Sequence, residues 1–260
     1  METNKQYAAF ITGSSRGIGR GIALTLAAKG FNIALNGRAA SVALEQTYEE
    51  LKQFNVKVTT VVGDVSRIED HRAMIERAEE AIGPLTTLVN NAGVSVLKRG
   101  DLLEVTPESY DRCLAVNTRA PFFLSQAFAR RIINRASRPD VYHSIINITS
   151  ANSVAAVAVR GEYCVSKAGA AMMSKVFAVR LAADDICVFD VQPGIIRTDM
   201  TQPVIDTYNK RIQKEDFTLI KRIGEPEDIG VIVATLASGG MPYVTGQEIS
   251  ADAGLVLPRF

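Results

Sequence analysis

The chain has 260 residues, 29 Lys plus Arg against 28 Asp plus Glu, a net charge of +1 and 47% hydrophobic content. That is enough apolar material for a full core without disulfides or metal, and the charge balance provides no field to gather nucleic acid or an anionic membrane. Cys113, Cys164 and Cys187 are too widely spaced for a disulfide framework or a zinc site, and the two histidines, His71 and His143, leave a metal pair or a Ser-His-Asp hydrolase without raw material.

In chain order, apolar β-branched runs at residues 7–12, 31–36, 56–62, 86–90, 144–149 and 187–192 read as strands, with a last one near 248–251. Between them Ile18, Ile22 and Leu26 recur at helical spacing, and similar patterns cover 41–54, 68–82, 107–133 and 227–237. Strands joined by crossover helices run parallel, which places helices on both faces of one sheet. The expected fold is α/β: a single-domain Rossmann-like doubly wound parallel sheet of about seven strands, spanning 1–260 with no linker or repeat. Residues 198–224, where Pro203, Asp206, Lys210 and Arg211 stand among isolated hydrophobes, are expected to form a substrate lid. The run 7–11 is too short for a signal-peptide core and 231–237 falls far short of the roughly 18 residues of a membrane span, so a cytoplasmic protein is expected.

Thr12-Gly13-Ser14-Ser15-Arg16-Gly17-Ile18-Gly19 lies between the first strand and the first helix. Glycines there permit a tight turn and let the backbone approach a pyrophosphate at the helix N-terminus; the same triplet could also be only a strand-to-helix turn. At the end of the second strand, where an NAD site carries an acid for the ribose 2′-hydroxyl, the sequence reads Asn36-Gly37-Arg38. Without that acid a 2′-phosphate is not repelled, and Arg38 with Arg16 could bind it, which favours NADP over NAD; the bland reading makes both arginines solvated surface residues. Asp64 and Val65, closing the third strand, could meet the adenine, or Asp64 could cap the next helix.

Tyr163 and Lys167 stand at i and i+4 on one helix. A phenol with a pKa near 10 is a poor acid–base group at neutral pH, and a nearby ammonium would stabilise its phenolate. Ser150, at the end of the fifth strand, could polarise a carbonyl. Each alone is weak, because such a Tyr/Lys pair is commonly a packed ring beside a solvated amine. Cys164, beside Tyr163, points elsewhere on the helix and reads as packing.

Together these motifs resemble the short-chain dehydrogenase/reductase family over nearly the whole chain. The resemblance rests on the Thr12–Gly19 loop, Asn90-Asn91-Ala92-Gly93, Asn117, Ser150, Tyr163 with Lys167, and Pro193-Gly194 followed by Thr198, in the family's order, with Ser150 13 residues before Tyr163. It implies that Tyr163 is the general acid in reduction and the general base in oxidation. Ser150 would orient the carbonyl, Lys167 would bind the nicotinamide ribose and lower the Tyr163 pKa, and Asn117 would hold a proton-relay water. It further implies that Gly13, Ser15, Arg16, Gly17, Ile18, Gly19, Arg38, Asp64, Val65, Asn91, Ala92, Gly93, Tyr163, Lys167, Pro193, Gly194, Ile196 and Thr198 contact the cofactor, with no metal, while Asn90 ties adjacent strands.

Residues 194–200 and Tyr243-Val244-Thr245-Gly246 look like 3-oxoacyl-acyl-carrier-protein reductases, whereas Ala253 stands where those relatives more often have Gly. The implied activity is NADP(H)-dependent hydride transfer between nicotinamide and a ketone or secondary alcohol, a 3-oxoacyl thioester among the candidates, in a homotetramer or homodimer. Alternatives are an NAD-preferring sugar or polyol dehydrogenase and a non-catalytic NADP(H) sensor. Arg119, Arg130, Arg131, Arg135 and Arg138 could greet an acidic carrier protein, although an arginine-rich solvated helix is the plainer reading.

Overall fold

The computed structural model describes residues 7–259. Parallel strands β1 (Ala8–Ile11), β2 (Asn32–Gly37), β3 (Val58–Val62), β4 (Thr87–Asn90), β5 (His143–Ile148), β6 (Ile186–Pro193) and β7 (Glu248–Ala251) form one sheet in the order β3-β2-β1-β4-β5-β6-β7. The helices are α1 (Gly17–Ala28), α2 (Val42–Leu51), α3 (His71–Ile82), α4 (Pro107–Leu114), α5 (Ala120–Ile133), α6 (Gly161–Leu181), α7 (Ile205–Lys214) and α8 (Pro226–Ala237). Ile11, Ile33, Val89, Ile146 and Phe189 pack on one face with Ile22 and Leu26 of α1 and Val233 of α8. On the other face Phe10, Leu88, Ile145 and Val188 pack with Met74 of α3, Phe128 of α5 and Phe177 of α6. Burial on both faces is why the central strands read as continuous apolar runs rather than as alternating ones. Strand order reverses between β1 and β4, and the crevice opens there, outside the strands' carboxyl ends.

The expected fold is the observed one, and the differences are local. The helix expected over 107–133 is broken by a π-helical turn at Ala115–Arg119. Pro121, four residues after Asn117, has no N–H to offer the Asn117 carbonyl, so a regular α-ladder cannot pass through this point. Residues 198–224, read as irregular, contain α7, whose Ile205 and Ile212 pack with Ile223, Ile195 and Phe217 in a small separate apolar cluster.

Ala253 has the left-handed backbone that favours glycine, with φ 58°. Its carbonyl accepts the N–H groups of Leu219, at 2.8 Å, and Ile220, at 3.2 Å, tying the end of the 198–224 segment to the C-terminal stretch. A non-glycine residue in that conformation costs about 1–2 kcal/mol, and glycine returns about 0.4–1 kcal/mol as unfolded-state entropy. Ala253→Gly is therefore expected to stabilise the protein by up to about 1 kcal/mol, raising Tm by roughly 2–4 °C in a thermal scan. A lowered Tm would refute this account of the turn.

Candidate active site

A cleft of about 1550 Å³ runs along the carboxyl ends of the strands, from Arg38 and Asp64 at one end to Tyr163, Tyr208 and Phe217 at the other. Every residue singled out above for nucleotide contact lines it, as do Ser150, Tyr163 and Lys167; Asn117 does not. The loop after β1 is shaped for a close ligand. Gly13 and Gly17 have φ of 62° and 55°, and a Cβ on Gly13 would stand 2.8 Å from the Ala92 Cα. Gly13 N–H donates to the Asn36 side-chain oxygen at 3.2 Å, and Thr47 Oγ1 donates to the Ser15 carbonyl at 2.9 Å, which fixes the loop against β2 and α2. Arg16, at the N-cap of α1, supplies no side-chain cap, so the first-turn amides face the cleft as a ready anion site. These features fit a dinucleotide pyrophosphate.

At the far end, Ser150 stands two residues after β5 and accepts the Asn152 N–H at 3.1 Å. Tyr163 projects from the first turns of α6, and burial pushes its phenol above the ordinary value, opposed by the hydroxyl of Ser150 and the guanidinium of Arg160. Lys167, one turn later, is buried; Nζ donates to the Ile148 carbonyl at 2.9 Å and lies 5.8 Å from the Tyr163 ring centroid. Desolvation lowers its pKa to about 8, and the carboxylate of Asp190 opposes that fall.

Asp190 belongs to a polar row beneath α6 that runs straight across the sheet, buried at Asn90, Asn147 and Asp190 and exposed at Glu248: Asn90 pairs with Asn147, Asn147 with Asp190, and Asp190 with Glu248. Asn90 donates to Asn147 Oδ1 at 2.8 Å and to Ser125 Oγ at 2.9 Å, and Asn147 donates to Ser174 Oγ of α6 at 2.9 Å. Asp190 accepts from Thr149 Oγ1 at 2.5 Å and from Gln192 Nε2 at 2.9 Å, and Glu248 pairs with Lys175 of α6 at 2.7 Å. Asn90 thus ties strands as expected, whereas Asp190 escapes a reading of the sequence, because only the strand register sets it beneath Lys167's helix. Thr47 escapes it too, since a mid-helix Thr carries no signal of reaching back to a glycine loop.

The expectations for Lys167 and Arg16 need correction. Lys167 does not lower the phenol of Tyr163: its ammonium is aimed at Ile148, and burial of the ring outweighs the opposing groups. The Asn117 side chain is anchored: its amide donates to the Val94 carbonyl at 3.0 Å and to Ser166 Oγ at 2.9 Å, and its Oδ1 accepts the Val94 N–H at 2.8 Å. Arg16 is paired with Asp199 at 2.9 Å across the cleft rather than standing free for a 2′-phosphate, although both side chains are exposed. Of the basic helix, Arg131 and Arg135 both pair with Glu79, and Arg138 donates to the carbonyls of Asp184 and Asp185, so most of that charge serves the fold. Asp64 Oδ1 accepts from the N–H and hydroxyl of Ser66 in a local turn and does not cap the following helix.

A family model described as enoyl-(acyl carrier protein) reductase matches residues 13–256. A 3-oxoacyl-acyl-carrier-protein reductase, FabG, of Staphylococcus epidermidis is 32% identical over 249 residues, 96% of this chain and 98% of that protein. Glucose 1-dehydrogenase 2 of Bacillus subtilis is 30% identical over 96% of this chain and 94% of its own. The crystal structure of a 3-oxoacyl-acyl-carrier-protein reductase from Brucella melitensis in complex with NAD matches with a TM-score of 0.94 at 38% identity, covering 99% of this chain and 100% of that one. With the glycine loop, the strand-end serine and the Tyr/Lys helix all on one cleft, these likenesses make the chain an oxidoreductase of CH–OH or keto groups and a member of the short-chain dehydrogenase/reductase family.

Proposed function

We propose that the protein is an NADPH-preferring carbonyl reductase, reversible as a secondary-alcohol dehydrogenase, with a 3-oxoacyl thioester among its candidate substrates. The observation that carries this reading is the convergence of Ser150, Tyr163 and Lys167 at one end of a cleft whose other end holds Arg38 and no acid at the second strand's tip. When bound, the nicotinamide supplies or receives the hydride. Ser150 hydrogen-bonds the carbonyl oxygen, and Tyr163 Oη gives its proton to that oxygen in reduction or takes it back in oxidation. Lys167 holds the ribose through its ammonium. The Asn117 carbonyl, which Pro121 cannot engage, is the group open to a relay water. Residues 198–224 act as a lid over the substrate end, which Tyr208 and Phe217 line.

Arg38 is exposed at the cleft's nucleotide end. Arg38→Ala should weaken NADPH by roughly 10- to 100-fold, the worth of a charge-assisted hydrogen bond, and NADH by less than about threefold. Equal losses in a coenzyme titration would remove the 2′-phosphate role. Two observations favour the NAD-linked alternative: Arg16 is already paired with Asp199, and the Brucella relative was crystallised with NAD. The same titration decides between the two coenzymes. Exposed Val165, Met172, Val176 and Val179 on α6 support a homo-oligomer, tetramer or dimer, formed through that helix. The engaged arginines of α5 and its exit leave docking of an acyl carrier protein with little support.

A further inference from the structure

The half of the cleft beyond Tyr163 carries an arginine wall. Arg99, Arg112 and Arg160 line it, and their segments fold against one another. Gly100 N–H donates to the Val159 carbonyl at 3.3 Å, joining the loop after β4 to the residue before Arg160. Arg112 Nη1, on α4, donates to the Ser95 carbonyl of the same loop at 2.8 Å. The Arg160 guanidinium carbon lies 5.5 Å from the centroid of the Tyr163 ring. Among the described residues, none of the three has an ion-pair partner. The two carboxylates on the cleft wall are at the nucleotide end, where Asp64 accepts from Ser66 and Asp199 pairs with Arg16. Glu162, the acid nearest Arg160 in sequence, is buried, accepts from Ser109 Oγ at 2.7 Å and is absent from the wall.

Arg160 occupies the N-cap of α6, where the helix dipole disfavours a cation and where it makes no capping bond. Apart from its contact with the Tyr163 ring, the fold gains no charge partner from a guanidinium there; a bound anion would gain from both the guanidinium and the helix end. Val94, Val154, Val157 and Phe217 make much of the rest of this half apolar, beside Tyr208 and an Arg211 that is already paired with Glu215.

We propose that the substrate is an anionic ketone or hydroxy compound, bearing a carboxylate or phosphate on a largely apolar skeleton, and that Arg160 and Arg99 receive that anion while Tyr163 and Ser150 hold the carbonyl. This rests on the reading of Tyr163 as proton donor. Arg112 shapes the wall by holding the Ser95 loop. A guanidinium fork grips such a group through two parallel hydrogen bonds, fixing the reacting carbon relative to Tyr163.

The test is NADPH oxidation with two matched pairs, on wild type, Arg160→Gln and Arg99→Gln. Acetoacetate against ethyl acetoacetate offers a carboxylate near the ketone. Acetoacetyl-CoA against S-acetoacetyl-N-acetylcysteamine offers phosphate on a longer arm. The charged member of one pair should have kcat/KM at least about 10-fold above its neutral partner, and Arg160→Gln should collapse that ratio, chiefly through KM. The pair that shows the ratio identifies the source of the anion. Equal kcat/KM within both pairs, or a ratio that survives in both variants, overturns the proposal. No turnover of any of the four by wild type would strike the carbonyl-reductase reading instead. Calorimetric titration of NADP-loaded protein with malonate would then decide the anion site alone: binding that Arg160→Gln weakens about 10-fold or more keeps it, and no binding removes it.

Discussion

Tyr163→Phe should lower kcat for carbonyl reduction by about 10²- to 10⁴-fold, the usual contribution of a positioned general acid, while NADPH dissociation changes by less than about threefold. The phenol is buried and its pKa is raised, so at neutral pH it carries the proton that reduction needs. Alcohol oxidation needs the same proton gone. Activity in that direction should therefore climb with pH across the alkaline range, while reduction holds at neutral pH and below. The Phe ring keeps the packing against Arg160 and leaves the cleft's glycine loop untouched, so a coenzyme titration separates lost chemistry from lost binding. Wild-type turnover in the variant would sink the mechanism, and tight coenzyme binding with no turnover in wild type would point to the sensor alternative.

The parts of this fold that were legible in advance are those in which one physical demand dominates. A strand buried on both faces has to be apolar throughout, so 144–149 and 187–192 lie within a residue of β5 and β6. A loop that takes φ of 62° and 55° and admits no Cβ beside Ala92 has to use glycine, so Gly13 and Gly17 are visible at once. The π-turn at Asn117 was hidden because hydrophobic periodicity passes through a single extra residue, and Pro121 was its only trace. Helix α7 was hidden because it buries only Ile205 and Ile212, against its own small cluster rather than the main core. Arg16 and Asp199 lie 183 positions apart, and nothing short of the fold brings them together. Asp190 is the sharpest case: a lone acid in an apolar run acquires meaning only when the register lines it up with Asn147 and Glu248 beneath the helix of Lys167.

That row bears on a second large effect. Lys167 is buried, and its pKa is lowered from the ordinary 10.5 to about 8. Between those two values the unfolded chain keeps a proton that the folded one has released, so the unfolded state binds more protons and stability rises with pH through that window. Below about 8 both states are protonated, and the cost of burying the ammonium, of order 3 kcal/mol at 1.36 kcal/mol per unit, is borne in full. Lys167→Met should abolish turnover and at the same time flatten the stability–pH curve of the cofactor-free protein between pH 8 and 10, as read by urea denaturation. Tyr163 and Cys113 also face Lys167, and Asp190 in turn faces Glu248 and Lys175, but Asp190 is the principal group that supports the ammonium. Asp190→Asn removes that support and should lower the Lys167 pKa further. The alkaline loss of reductase activity should then begin at a lower pH than in wild type, and Asp190→Glu should restore it in part. Parallel stability curves for wild type and Lys167→Met, or an unmoved alkaline limb in Asp190→Asn, would show that Lys167 does not carry the charge argued for it.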